Sequence, residues 1–242
     1  MNRFFVDKSA IHGETSTVTG EDVRHISVVL RLQPGDALTL CDGAGTDYTA
    51  RIERIQKDRV ELALLGAQPS GTEPACEVTL YQGLPKAGKL ESILQKCVEL
   101  GVVRVVPVAM ARSVVKLSQR DFEAKRDRYQ RIMLEAAKQS RRGVIPQIGR
   151  LAELREINPM EYDAVIVAYE EEEERTLRAA LCAMGNAKRL ALVVGPEGGF
   201  DPGEIALLRG RGACCVTLGK RILRTETAGP ALLAMTLYEL ER

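Results

Sequence analysis

Two stretches carry residue types that could grip and act on a ligand: GPEGGF at Gly195–Phe200 and LGKRILRTETA at Leu218–Ala228. Each follows a compact apolar run, Leu190–Val194 and Cys214–Val216, so each is expected where a buried parallel strand ends and the chain must turn. Glycine tolerates positive φ and lets backbone approach a ligand closely. Ligands of open α/β sheets bind beyond the carboxyl ends of strands, so these stretches read as the two lips of one pocket.

Other chemistries find less material. GLPKAGKL at Gly83–Leu90 fits the phosphate-binding pattern GxxxxGK up to its last position, where the magnesium-binding Ser or Thr is replaced by Leu90. A lysine-bearing loop that touches substrate phosphate is the better reading. No GxGxxG run follows an early strand, which argues against a Rossmann nucleotide site. His12 and His25 are the only histidines, too few for a Ser-His-Asp triad beside a zinc cluster, and no metal is expected. The six cysteines show no CxxC spacing and read as reduced, small hydrophobes.

The elements that must position the two lips follow from periodicity. Short strands at Ala37–Cys41, Tyr48–Gln56 and Arg59–Leu65, each after a turn dipeptide, predict an antiparallel meander or small barrel. Before them, Val23, Ile26, Val29 and Leu30 give Glu21–Leu32 helical spacing, with Arg24, His25 and Arg31 on or near its polar side. GAQPSGTEPA at Gly66–Ala75 reads as a linker, placing a boundary between residues 1–70 and 71–242.

Beyond it, apolar strands at Val78–Tyr81, Val102–Val108, Ala164–Ala168, Leu190–Val194 and Cys214–Leu218 alternate with helical patterns at Lys89–Leu100, Gln119–Arg141, Arg175–Met184, Pro202–Arg209 and Ala228–Glu241. That alternation predicts an α/β fold, a mainly parallel sheet covered on both faces. The last helix, expected to begin near Pro230, is apolar on nearly every side and should be buried in the core or against a second subunit.

Charge is close to balanced, 34 Lys and Arg against 33 Asp and Glu, which disfavours indiscriminate coating of nucleic acid. The balance is uneven, however. Arg112–Arg142 holds ten basic residues against four acidic ones, whereas Glu170–Glu174 is five consecutive carboxylates. A confined basic stripe suits a phosphate-tracking face, although a solvated helix face would look the same. No apolar run is long enough to span a membrane, and MNRFFVDKSA lacks the features of a signal peptide, so a cytoplasmic location with no membrane partner is expected.

VVGPEGGF (Val193–Phe200) followed by LGKRILRTETA closely resembles the RsmE-type 16S rRNA (uracil-N3)-methyltransferases of the SPOUT superfamily. QKCVELGVVRVVPV at Gln95–Val108, EAAKQSRR at Glu135–Arg142 and RHISVVLRLQPGD at Arg24–Asp36 extend the resemblance over essentially the whole chain. It implies a PUA-like β-barrel in residues 1–70, a SPOUT α/β domain with a trefoil knot in 71–242, and a homodimer acting on 16S rRNA of the 30S subunit.

The cofactor implied is S-adenosylmethionine, held by Val194, Gly195, Pro196, Glu197, Gly198 and Gly199 of the first lip. The second lip would contribute Leu218, Gly219, Ile222, Leu223, Arg224, Thr225, Thr227 and Ala228, its apolar members offering an adenine slot. Arg224 is expected to stabilise charge on the base, and Glu226 either to take the imide proton or to hold Arg224 and its loop. Expected RNA contacts are Arg24, His25, Arg31, Lys86, Arg112, Arg128, Arg131, Arg141 and Arg142. Two rivals remain at this level: a related methyltransferase acting on another rRNA or tRNA position, and a non-enzymatic RNA-binding assembly factor.

Overall fold

The turn dipeptides of the first third do separate strands. The computed structural model describes residues 2–241. Its N-terminal strands are β1 (Arg3–Phe5), β2 (Ile11–His12), β3 (Thr15–Thr19), β4 (Ala37–Cys41), β5 (Thr46–Ile55) and β6 (Arg59–Pro69). They form one sheet in the order β1-β4-β5-β6-β3-β2, antiparallel except where β1 joins β4. Two register shifts in the β5–β6 pair bend the ribbon. One face of it carries Leu38, Leu40, Ala50, Ile52, Val60 and Leu62, all at most 1% exposed and packed in one core cluster.

The helical pattern over Glu21–Leu32 resolves differently from expectation. A single α-turn, α1 (Glu21–Arg24), widens into a π-turn over His25–Val29. Val23 and Ile26 stay buried, but the wider turn carries later residues off the apolar stripe, leaving Val28 and Val29 58% and 65% exposed.

Contacts divide the chain differently from a cut after residue 70. One unit comprises the chain up to Glu73 together with Ala137–Ile145, and the other comprises Pro74–Ala136 and the chain from Pro146 onward. The return of 137–145 has a polar cause. Glu73 accepts hydrogen bonds from the Arg142 guanidinium and from the amides of Gly143 and Val144. The stretch read as a linker is also partly strand, since β6 continues through Pro69 opposite Thr46.

In the second unit, β7 (Glu77–Gly83), β8 (Arg104–Ala109), β9 (Gln147–Ile148), β10 (Ala152–Glu153), β11 (Ala164–Ala168), β12 (Arg189–Val194) and β13 (Cys214–Val216) alternate with helices. These are α2 (Lys89–Glu99), α3 (Gln119–Gln139), α4 (Leu177–Met184), α5 (Pro202–Gly210) and α6 (Thr225–Leu240). The sheet is parallel, ordered β10-β8-β7-β12-β11-β13 with β9 beside β8. Helix starts are chemically marked: Asp201 and Glu204 form a capping box on α5, and Thr176 caps α4.

The last helix starts earlier than Pro230 suggested. The Arg224 carbonyl accepts the Thr227 and Ala228 amides, so a first turn closes ahead of the proline. Nor is α6 buried all round within one chain. Leu232, Leu233, Thr236 and Leu237 are buried against α2, α4 and the sheet, whereas Met235 and Tyr238 are 39% and 65% exposed. Among the described residues no helix is long and apolar enough to cross a membrane.

Candidate functional site

Register brings the ends of four parallel strands into one row: Gln82 of β7 pairs with Val194 of β12, Val194 with Ala168 of β11, and Ala168 with Val216 of β13. The loops leaving three of these strands enclose a cavity of about 910 Å³ beyond their carboxyl ends. Both glycine-bearing stretches line it. Of the residues expected to hold a ligand, Val194, Gly195, Pro196, Glu197, Gly199, Leu218, Gly219, Ile222, Leu223, Arg224, Thr225 and Ala228 are on its wall. Gly198 and Thr227 are not: Gly198 turns to Arg112, whose guanidinium approaches its carbonyl at 3.4 Å, and Thr227 is exposed on the first turn of α6.

The first lip is held from several sides. Gly199 has φ +68, where a side chain would be strained, and a Cβ there would lie 1.8 Å from Glu170 Oε1. Phe200 is buried, and its amide donates to the same Glu170 oxygen at 3.3 Å. The Gly195 carbonyl accepts the Thr225 hydroxyl at 2.7 Å, and Thr225 Oγ1 in turn accepts from Gln82 Nε2 at 2.9 Å. A buried polar relay thus joins β7, the first lip and the start of α6.

Lys89 was missed. It is the terminal lysine of GLPKAGK, and its ammonium lies 3.0 Å from Glu197 Oε1 and 3.0 Å from Glu226 Oε2. Its side chain also lines the cavity, whereas Lys86 is exposed and engages Glu197 through its backbone amide. Burial pushes the Glu197 carboxyl up, but the Lys86 amide, its own amide and the Lys89 ammonium together hold it below the usual range. Glu226 is likewise held down, first by its own amide and then by Lys89, whose ammonium is in turn raised by both carboxylates.

A third loop also lines the cavity, the stretch after β11 with Tyr169, Glu170, Glu172, Glu173 and Thr176. The rule that ligands gather at carboxyl ends of parallel strands could have found it, since Ala164–Ala168 is as apolar as its neighbours. Glu172 is ionised below the usual range through the Arg175 amide and, more weakly, Arg209. The Tyr169 phenol is pushed up to about 12 by its hydrogen bond to Glu171 and then by burial. One wall is therefore acidic. The lining also carries Lys220, Arg221 and Arg224, so the cleft can favour a ligand with a cationic centre while admitting an anionic partner.

The other expected cations are described unit by unit. In the first unit Arg24, His25, Arg31 and Arg141 are exposed, with the His25 ring also edge-on to Phe4 at 5.7 Å. Arg31 and Arg141 adopt φ 54 and φ 58 at helix ends, where glycine is the usual occupant. Arg142 is a correction: it is 3% exposed and its guanidinium is committed to Glu73, so it cannot reach RNA. In the second unit Lys86, Arg112, Arg128 and Arg131 are exposed, and Arg128 pairs with Glu91 at 3.2 Å. Among the described residues no cluster of His, Cys, Asp and Glu could hold a metal ion.

Known proteins share the sequence and the fold of both units. Residues 72–237 match the family model of an RNA methyltransferase domain, and residues 18–65 that of an RNA methyltransferase PUA domain. The chain is 33% identical to the ribosomal RNA small subunit methyltransferase E of Bacillus subtilis, covering 100% of this chain and 98% of that protein. It is 32% identical, with a TM-score of 0.81, to the crystal structure of the corresponding Neisseria gonorrhoeae enzyme bound to S-adenosyl methionine, covering 97% and 96% of the two chains. A methyltransferase of Legionella pneumophila, solved with the cofactor bound, is 29% identical with a TM-score of 0.78, at 97% and 96% coverage.

Proposed function

Because the chain belongs to the ribosomal RNA small subunit methyltransferase E family, we propose that it methylates N3 of a uracil in the 16S rRNA of the small ribosomal subunit. It is an S-adenosylmethionine-dependent rRNA methyltransferase with a PUA-type N-terminal domain. The observation that carries the assignment is the meeting of both glycine-bearing lips on one cavity of about 910 Å³. That volume accommodates a nucleoside-sized ligand. The wall is also of suitable chemistry, apolar at Val194, Leu218 and Leu223, and acidic at Glu170, Glu172 and Glu173.

S-adenosylmethionine, when bound, supplies an electrophilic methyl group on a cationic sulfur. Within the chain, Gly195, Pro196, Gly199, Leu218, Gly219, Ile222, Leu223, Thr225 and Ala228 would hold it, with main-chain groups of the lips providing much of the polar contact. Uracil N3 must lose its imide proton, and the resulting anion gains from a fixed cation nearby. Arg224, on the cavity wall at the start of α6, is assigned that role. Glu226 serves to hold the loop rather than to accept the proton. Its carboxylate is engaged by Lys89 and held at low pKa, so it is a weak base.

RNA is captured through backbone phosphates by Arg24, His25, Arg31 and Arg141 of one unit and Lys86, Arg112, Arg128 and Arg131 of the other. The working form in this reading is a cytoplasmic homodimer whose C-terminal chain threads a knot. The outward apolar residues Met235 and Tyr238 of α6 support the dimer.

Incubation of the purified protein with labelled donor and 30S subunits, followed by digestion to nucleosides, is expected to yield 3-methyluridine. Label confined to ribose oxygen or to another base would overturn the assignment of the target atom.

A further inference from the structure

The stretch Gly83–Leu90, which joins β7 to α2, has the outline of a phosphate-binding loop but lacks its hydroxyl, and the assignment above uses only its Lys86. Its geometry supplies one. Lys89 contacts one carboxylate from each lip: Glu197 lies within GPEGGF and Glu226 within RTETA, both at 3.0 Å from the same nitrogen. All three side chains are well covered, at 29%, 19% and 22% exposure, so the contacts are stronger than those of free surface pairs.

Local preference does not place a lysine there. Lys89 is the first residue of α2, where the helix dipole disfavours a cation, and Gly88 before it provides no side-chain cap. A residue that violates local preference is retained for what it does in the folded whole. The same loop grips Glu197 a second time through the Lys86 amide, so the clasp has one fixed and one charged contact.

We propose that Lys89 is a positioning residue that couples the two lips of the donor cavity, setting their separation through simultaneous ion pairs with Glu197 and Glu226. This rests on the cavity being the methyl-donor site. With the ammonium removed, two carboxylates would face each other without a counterion and drive the lips apart. The effect falls on donor capture before it falls on the chemical step.

The test uses the full-length protein and three readouts. Amide hydrogen exchange on donor-free protein is expected to quicken in both 196–200 and 225–229 in Lys89→Met. Calorimetry with S-adenosylmethionine is expected to show about tenfold weaker binding, with the rise in donor KM exceeding the fall in kcat. Lys89→Arg should recover most of the affinity, and Lys89→Met/Glu226→Gln should be no weaker than the worse single variant, because both remove one coupling.

Unchanged exchange with affinity within about twofold would overturn the proposal, as would a fall in kcat at unchanged affinity, which would move Lys89 to the acceptor side. Should Lys89→Met not fold, Glu226→Gln carries the same exchange and affinity arms. Failure of the wild-type protein to bind S-adenosylmethionine would defeat the functional assignment instead, and the exchange experiment would still judge the coupling.

Discussion

The two lips of the cavity are built on opposite terms. The first, Gly195–Phe200, has Gly195, Pro196 and Phe200 buried and is tied to Thr225, Lys86, Lys89 and Glu170. The second is tied at its α6 end, through Thr225 and Glu226, but the stretch before that end has Gly219, Lys220, Arg221, Ile222 and Arg224 exposed, with Ile222 at 86%. A lip packed into the sheet can define a donor's position before it arrives. An open lip carrying three cations is suited to the step that brings in an anionic acceptor.

Arg224→Ala is where the contrast should be largest. If the open lip serves the acceptor, turnover falls by roughly 10² to 10³, the usual size for losing one stabiliser of developing charge, while donor affinity stays near wild type. Calorimetry with the donor beside single-turnover rates on 30S subunits separates the two. Lost donor affinity at unchanged saturated rate would place Arg224 with the first lip's work.

Thr225→Val addresses the closed lip's anchorage. The substitution keeps the shape but removes the hydroxyl that donates to the Gly195 carbonyl and accepts from Gln82, both inside the protein. Gln82 Nε2 keeps the Gly83 carbonyl at 3.1 Å, but the Gly195 carbonyl loses the hydroxyl and one amide hydrogen of Gln82 loses its acceptor, which costs about 2 to 3 kcal/mol. Urea denaturation should show the loss, and Thr225→Ser should recover most of it. A loss under about 0.5 kcal/mol would mean that the relay does not hold the lip.

Gly199→Ala and Gly219→Ala form a matched pair, since both glycines have positive φ, +68 and +109. Each alanine stores roughly 1 to 2 kcal/mol of backbone strain if the loop cannot move. At Gly199 the loop is pinned and Glu170 must also yield, so the strain should appear in full as lost stability. At Gly219 nothing lies within 4 Å of the new methyl, and the exposed chain can relax. Equal losses in the two variants would erase the distinction between tied and open lips.

The tied lip was also the more legible in sequence. The apolar run Leu190–Val194 and the glycines after it announce a buried strand and its turn, because both depend on nearest neighbours along the chain. The residues that the two lips place on the wall follow from these motifs and the resemblance they carry, whereas the loop after β11 was passed over. Lys89 could not, since its partners Glu197 and Glu226 lie far away in sequence and nothing local marks their meeting. The commitment of Arg142 to Glu73 escaped for the same reason: composition showed a basic stripe, and only folding shows which arginine is already paired. The start of α6 at Thr225 was hidden by Pro230, whose preference for first turns outweighed in the reading a cap made by backbone alone.

Ile222 offers the smallest effect and the sharpest reading of the open lip. In sequence it could have been plain core; at 86% exposure it contributes little to the fold while still bordering the cavity. Ile222→Ser should therefore leave unfolding stability within about 0.5 kcal/mol of wild type. If the side chain closes over the donor's adenine, partial burial of its apolar surface on binding is worth about 1 kcal/mol, and affinity should fall roughly fivefold. Denaturation and calorimetry on the same sample read both quantities. A loss of stability larger than the loss of affinity would show that this lip is packed in solution, and that the two sides of the cleft are more alike than their exposure implies.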